Sequence, residues 1–92
     1  MAWEIVGLRR TNFIVMEVKV LFFGVLAEIS GTGFKHYNGV KSMGDLMHRI
    51  KDDYPEIVHY NFRVSVNSEI TDDDRLLKSG DEVALMPPFA GG

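Results

Sequence analysis

Short segments of alternating apolar and polar residues, two on each side of one helical segment, are the feature that most constrains the fold. In the first segment, residues 17–23, Val18, Val20 and Phe22 share one face. A period of two residues is typical of a strand with one buried face. Further strands are predicted at residues 34–37, 62–66 and 82–86.

One main helix is predicted between the second and third strands. Ser42, followed three residues later by Asp45, resembles a capping box. The helix is expected to end near Tyr54, because Pro55 disfavours the helical conformation at the residue before it. Its apolar face consists of Met43, Leu46, Met47 and Ile50. One or two further helical turns are expected at residues 25–30, and Asn67, Ser68 and Glu69 are assigned to a turn. This order predicts a single α+β domain whose helix covers one face of a mixed sheet.

Composition excludes several classes of function. The 92 residues contain no cysteine, so disulfides, thiolate metal sites and a cysteine nucleophile are ruled out. The formal net charge of −3 argues against nucleic acid or an anionic membrane as the main partner. A signal peptide is disfavoured because Glu4 comes early and Arg9 and Arg10 follow the first apolar patch. We therefore expect a cytoplasmic protein.

The domain boundaries follow from a methionine and a pair of prolines. Met16 stands directly before the first strand, so residues 1–15 are interpreted as an N-terminal extension or an upstream start. The alternative is that residues 13–15 lengthen the first strand. Residues 16–86 form the predicted domain, and residues 87–92 form an extended C-terminal tail.

The search for a catalytic or metal site inside the domain yields no candidate. His36, His48 and His59 are eleven or twelve residues apart, and lone histidines of this kind are usually surface or turn residues rather than metal ligands. The serines lack the context of a nucleophile elbow, and the acidic run 72–74 lacks the spacing of a calcium loop. We expect this run to be a solvated face, and we expect no metal and no bound cofactor.

The C-terminus is the unusual part of the chain. Met86 is followed by Pro87, Pro88, Phe89, Ala90, Gly91 and Gly92. The two prolines cannot continue a sheet ladder and favour a stiff, extended conformation that directs the tail away from the domain. The last four residues then reach about 13–14 Å, at roughly 3.3–3.6 Å per residue.

The terminal carboxylate is the candidate reactive group. Glycine at both terminal positions removes every side-chain atom near it, so the tail fits a narrow channel. Adenylation converts a carboxylate into a mixed anhydride, which sulfide, persulfide or an amine attacks. The alternative interpretation is a disordered tail without a role.

The last thirteen residues, from Gly80 to Gly92, resemble the end of the small subunit of molybdopterin synthase. Weaker resemblances to the same family occur at residues 21–24, 42–46 and 64–67. That family has the ubiquitin-like β-grasp fold, which implies a mixed sheet of four to five strands packed on one main helix.

The resemblance implies a sulfur carrier that is not catalytic alone. An adenylating enzyme related to ubiquitin-activating enzymes uses ATP to activate the Gly92 carboxylate, which then becomes a thiocarboxylate. The tail, Pro87, Pro88, Phe89, Ala90 and Gly91, then enters the large synthase subunit and delivers sulfur to cyclic pyranopterin monophosphate.

Strand alternation predicts a partner-binding patch near Met86 and Phe89, on the face of the last strand opposite Val83 and Leu85.

Two other functions share the activation step. The first is a protein modifier, in which the Gly92 carboxylate forms an isopeptide bond with a lysine. The second is a sulfur carrier for thiazole or tRNA thiolation, and the Pro87 and Pro88 pair counts against it.

Overall fold

The computed structural model describes residues 17–88, in which the predicted order of elements is observed. The predicted N-terminal extension and the last four residues of the tail lie outside this part of the chain. In chain order, the elements are strand β1 (Glu17–Phe22), helix α1 (Val25–Ser30), strand β2 (Phe34–Asn38), helix α2 (Met43–Asp53), a 3-10 helix (Pro55–His59), and strands β3 (Arg63–Val66), β4 (Glu69–Ile70) and β5 (Glu82–Met86).

The strands form one five-stranded mixed sheet in the order β2-β1-β5-β3-β4. The central pair β1 and β5 is parallel, with Phe22 opposite Leu85, and the other neighbours are antiparallel. A parallel pair needs a long crossover connection, and here that connection contains α2. The predicted mixed sheet packed on one main helix is confirmed.

The core lies between α2 and one face of the sheet. The predicted alternation in β1 is confirmed, because Val18 and Val20 are 0% exposed and Phe22 is 3% exposed. From the helix, Leu46 and Ile50 are fully buried, whereas Met47 packs at the edge of the core.

Side chains cap helix α2 at its N-terminus. Ser42 Oγ accepts a hydrogen bond from the Asp45 N–H at 3.1 Å, which confirms the predicted cap. The exposed acidic run also contributes, because Asp74 Oδ1 accepts a hydrogen bond from the Gly44 N–H at 2.8 Å. The helix ends at Asp53, where Pro55 begins the 3-10 helix. None of the helices within residues 17–88 has the length and apolar content needed to cross a lipid bilayer.

The hairpin between β3 and β4 corrects one detail of the prediction. Asn67 and Ser68 have φ angles of 50° and 74°, and these two residues alone form the turn. A two-residue loop with both residues at positive φ matches the twist of a hairpin. Glu69, which the sequence analysis assigned to the turn, is instead the first residue of β4 and pairs with Val66.

A buried carboxylate fixes the start of β5. Asp81 is 7% exposed, and it accepts hydrogen bonds from the Lys78 N–H at 2.8 Å and from Asn67 Nδ2 at 2.9 Å. Asn67 Oδ1 in turn accepts the Glu82 N–H at 2.9 Å. Burial alone would raise the pKa of Asp81, but the two hydrogen bonds to the carboxylate, together with the positive charges of Lys78 and Arg75, hold this pKa below its ordinary value. We call this group, Asn67, Lys78 and Asp81, the Asp81 clasp.

A second polar cluster ties β2 to the end of α2. Asp53 Oδ2 accepts hydrogen bonds from Lys35 Nζ at 2.8 Å and from the Tyr37 hydroxyl at 2.7 Å. These two donors lower the pKa of Asp53. Burial, followed by the hydrogen bond to Asp53, raises the pKa of Tyr37, so its hydroxyl remains a donor at neutral pH.

Candidate protein-docking face and tail exit

Strand β5 carries the chain from the core to the tail. Val83 and Leu85 are fully buried against α2, and by strand alternation Ala84 and Met86 lie on the opposite face of the sheet. Of the predicted partner-binding residues, Met86 is half-buried on this outer face. Phe89 lies outside the described residues. The partner-binding role of Met86 and Phe89 remains a prediction.

One row of side chains crosses the outer face of all five strands. Pairing places Leu21 between Phe34 and Ala84, and Ser65 between Ala84 and Ile70. Phe34 and Ile70, at the two edges of the sheet, are each 51% exposed. The sheet order creates this row, because residues from opposite ends of the chain become neighbours.

The row contains a groove of about 350 Å³, which we call the sheet groove. Small side chains, Ala84 and Ser65, occupy the middle of the row, and larger ones rise on both sides of them. The sheet groove is lined by Leu21, Phe23, Ser65, Ser68, Ile70, Glu82, Ala84 and Met86. An apolar concavity on an exposed sheet face is suited to binding another protein.

A charged row borders the apolar row on the side away from the tail. Lys19 is paired between His36 and Glu82, and its Nζ lies 4.9 Å from the centre of the Phe34 ring. The outer face therefore combines an apolar centre with a polar border, as protein-binding surfaces do.

The tail leaves the domain beside the end of β1, because β1 and β5 are parallel. The Phe23 N–H donates to the Leu85 carbonyl at 3.1 Å, which extends the pairing beyond the strand. The next residue, Gly24, has φ +59°, and a Cβ atom there would lie 2.7 Å from Pro87 Cγ. A glycine is therefore required for Pro87 to approach this closely. Pro88 is exposed, whereas Phe89, Ala90, Gly91 and Gly92 lie outside the described residues.

In residues 17–88, no three His, Asp or Glu side chains come together as metal ligands. A second groove, of about 670 Å³, lies at the start of β5, far from the tail, and its buried carboxylate is already engaged in the Asp81 clasp. The sequence analysis missed the row from Phe34 to Ile70, because no local pattern reports which strands are neighbours.

The fold and the exit of the tail define the class of protein. A five-stranded mixed sheet with one main helix, whose last strand leads into Pro87 and Pro88, is a ubiquitin-like β-grasp domain. The chain belongs to the ThiS family, which matches residues 20–92.

Individual relatives agree with this assignment. The chain is 33% identical over 84 residues to the molybdopterin synthase sulfur carrier subunit of Chlamydomonas reinhardtii, covering 84% of this chain and all of that protein. This similarity confirms the resemblance carried by the last thirteen residues.

Two solved structures share the fold. The solution structure of small archaeal modifier protein 1 from Methanosarcina acetivorans has a TM-score of 0.73 and 26% identity, covering 85% of this chain and 98% of that one. The complex of subunits 1 and 2 of molybdopterin-converting factor from Helicobacter pylori has a TM-score of 0.62 and 26% identity, covering 84% and 100%.

Proposed function

We propose that this chain is a sulfur carrier for molybdopterin synthesis. A separate enzyme adenylates the Gly92 carboxylate, sulfur replaces one of its oxygens, and the thiocarboxylate donates sulfur to cyclic pyranopterin monophosphate. The observation that carries the proposal is the family match through residue 92, the second of the two glycines that end the tail.

The proposed chemistry needs from this chain only the terminal carboxylate and a tail that carries it into the active site of another protein. A carboxylate oxygen attacks the α-phosphorus of ATP and pyrophosphate leaves, which forms an acyl adenylate. Hydrosulfide then attacks the carbonyl carbon, AMP leaves and a proton is lost, so the carbon ends bonded to one sulfur and one oxygen. The chain supplies no thiol, because it contains no cysteine, and the terminus is the one place where it holds sulfur in this scheme.

The large subunit of molybdopterin synthase is the proposed recipient of the tail. The structure of two converting-factor subunits in complex, to which this chain is similar, supports a partner of this kind. The sheet groove lies beside Met86 and the exit of the tail, so a protein that receives the tail can contact the groove at the same time. We therefore propose Met86, together with Phe89, as part of the docking surface.

Two changes at the terminus test the proposal. Deleting Gly92, or adding residues after it, should abolish sulfur transfer in a reaction reconstituted with the activating enzyme and the large subunit. The fold should not change, because the strands and helices end before the tail, and circular dichroism provides that control. Full sulfur transfer by a chain that ends at Gly91 contradicts the proposal.

A second candidate is a ubiquitin-like protein modifier, and the similarity to small archaeal modifier protein 1 favours it. In that function an amine rather than sulfur attacks the acyl adenylate, which gives an isopeptide bond to a lysine. Mass spectrometry of the protein recovered from cells separates the two functions. An exchange of one terminal oxygen for sulfur supports the carrier, and lysine-linked adducts support the modifier. Carriers for thiazole or tRNA thiolation have the same terminal exchange and are separated by the identity of the acceptor.

A further inference from the structure

The floor of the sheet groove contains a polar group in an apolar setting. Ser65 lies in β3 between Ala84 of β5 and Ile70 of β4. It is 5% exposed, and it is one of the residues that line the groove. Its neighbours in the row, Leu21, Ala84 and Ile70, carry no polar side-chain atom.

The Ser65 hydroxyl has no hydrogen-bond partner among the described residues. The other buried polar side chain, Asp81, has two. Buried hydroxyls in proteins are nearly always hydrogen-bonded, since removing a polar group from water without a replacement partner is unfavourable. An unpaired hydroxyl on the floor of an open groove is therefore placed to bond with a group that enters the groove.

We propose that Ser65 is a specificity-determining residue of the carrier, and that it hydrogen-bonds a polar group of the large subunit when the sheet groove is occupied. The inference rests on the proposed function, in which the large subunit receives the tail. The occupying segment inserts an apolar side chain between Leu21, Ile70 and Met86 and presents a backbone or side-chain polar group to Ser65 Oγ.

The large subunit is the expected occupant because of the position of the groove. Met86 forms one wall of the groove, and the next residue, Pro87, begins the tail. A protein that encloses the tail is held against this end of the outer face. A segment that paired only apolar groups with the groove would leave the Ser65 hydroxyl unpaired, and the bound state would then be less favourable.

The variant Ser65→Ala tests the proposal, with Ser68→Ala as the matched control. Both changes remove one hydroxyl from the same groove, but Ser68 is exposed and water solvates its hydroxyl. The affinity of the full chain for the large subunit is measured by titration calorimetry. Urea unfolding of each variant is measured separately. We expect Ser65→Ala to weaken binding about tenfold, which corresponds to about 1.4 kcal/mol, and Ser68→Ala to change it less than twofold.

The stability measurement separates a docking role from a structural one. In the free carrier, Ser65→Ala should unfold at the same or a higher urea concentration than the wild type, because it removes an unpaired buried hydroxyl. Lower stability together with unchanged affinity overturns the proposal. Weakened binding to the activating enzyme alone also overturns it. If the wild-type chain does not bind the large subunit, the proposed function itself fails; if the wild type binds and Ser65→Ala binds equally well, only the Ser65 inference fails.

Discussion

Replacing Asp81 with alanine should destabilise the domain more than replacing Asp74. Each aspartate accepts a backbone N–H at 2.8 Å, Asp81 from Lys78 and Asp74 from Gly44. The two sites differ in burial, because Asp81 is 7% exposed and Asp74 lies on the surface. The pair therefore compares a backbone N–H bond to a carboxylate in two environments, and the buried site has one further bond, from Asn67 Nδ2.

The magnitude follows from the groups that lose their acceptor. Asp81→Ala leaves the Lys78 N–H and Asn67 Nδ2 without the carboxylate, and hydrogen bonds to charged groups contribute about 1.5–3 kcal/mol each. Release of the buried charge offsets part of this loss, so we expect a net cost on the order of 3 kcal/mol. Asp74→Ala removes one exposed helix cap and should cost about 1 kcal/mol.

Urea unfolding followed by far-ultraviolet circular dichroism measures the unfolding free energy of both variants at pH 7. The midpoints are comparable if the unfolding free energies depend on urea concentration with equal slopes. If Asp81→Ala costs no more than Asp74→Ala, then burial does not strengthen this interaction and the reasoning is refuted.

A comparison of the wild type with Asp81→Ala at different pH values tests the contribution of the Asp81 charge. The pKa of Asp81 is lower in the folded domain than in the unfolded chain. Its stabilising contribution is therefore fully present above the unfolded value of about 4 and is lost as the pH falls through the folded value. The difference in unfolding free energy between the wild type and Asp81→Ala should decrease steadily below about pH 4. A constant difference down to the acid limit would show that ionisation of Asp81 does not contribute.

Two further predictions concern the ends of the chain. Met86→Asp should weaken binding to the large subunit by on the order of 2 kcal/mol with an unchanged melting temperature, because it places a charge beside the sheet groove; unchanged binding in calorimetry would count against this docking surface. A chain that begins at Met16 should have an unfolding free energy within about 1 kcal/mol of that of the full chain, since the five strands and the main helix are all assigned within residues 17–88. A loss of several kcal/mol would show that residues 1–15 belong to the domain.

The elements predicted from sequence are those that depend on local patterns. The alternation of Val18, Val20 and Phe22 and the cap at Ser42 involve residues close in the chain, and the structure contains both. Strand β4 was missed because it has only two residues, too few for a period to be recognised. The hydrogen bond from Gly44 to Asp74 joins residues 30 apart, and no local pattern reports such a contact.

In the candidate site, too, local features can be predicted from the sequence, whereas features that depend on the order of the strands cannot. Met86 was predicted to face outward because alternation within one strand is local. The groove was not predicted, because it requires Leu21, Ser65 and Ile70 to be neighbours, and this depends on the order of five strands. In the sequence, Ser65 is one serine in a strand; only the order of the strands shows that it lies on the floor of the groove.

The two ends of strand β5 contribute to different properties, the start to stability and the end to docking. At its start, the Asp81 clasp joins the strand to the β3–β4 turn through side-chain hydrogen bonds of Asn67, whereas at its end Met86 contributes to the open groove. With about 3.3 Å per residue, Asp81 and Met86 are roughly 16 Å apart, a separation at which mutational effects usually add. Asp81→Ala should therefore lower the unfolding free energy without changing affinity for the large subunit, provided that binding is measured where the variant and the large subunit are both folded. Met86→Asp should lower this affinity without changing the unfolding free energy. The double variant should show the sum of both effects within about 0.5 kcal/mol. A larger departure would mean that the start of β5 controls the shape of the groove, and the two ends of the strand would then form one unit.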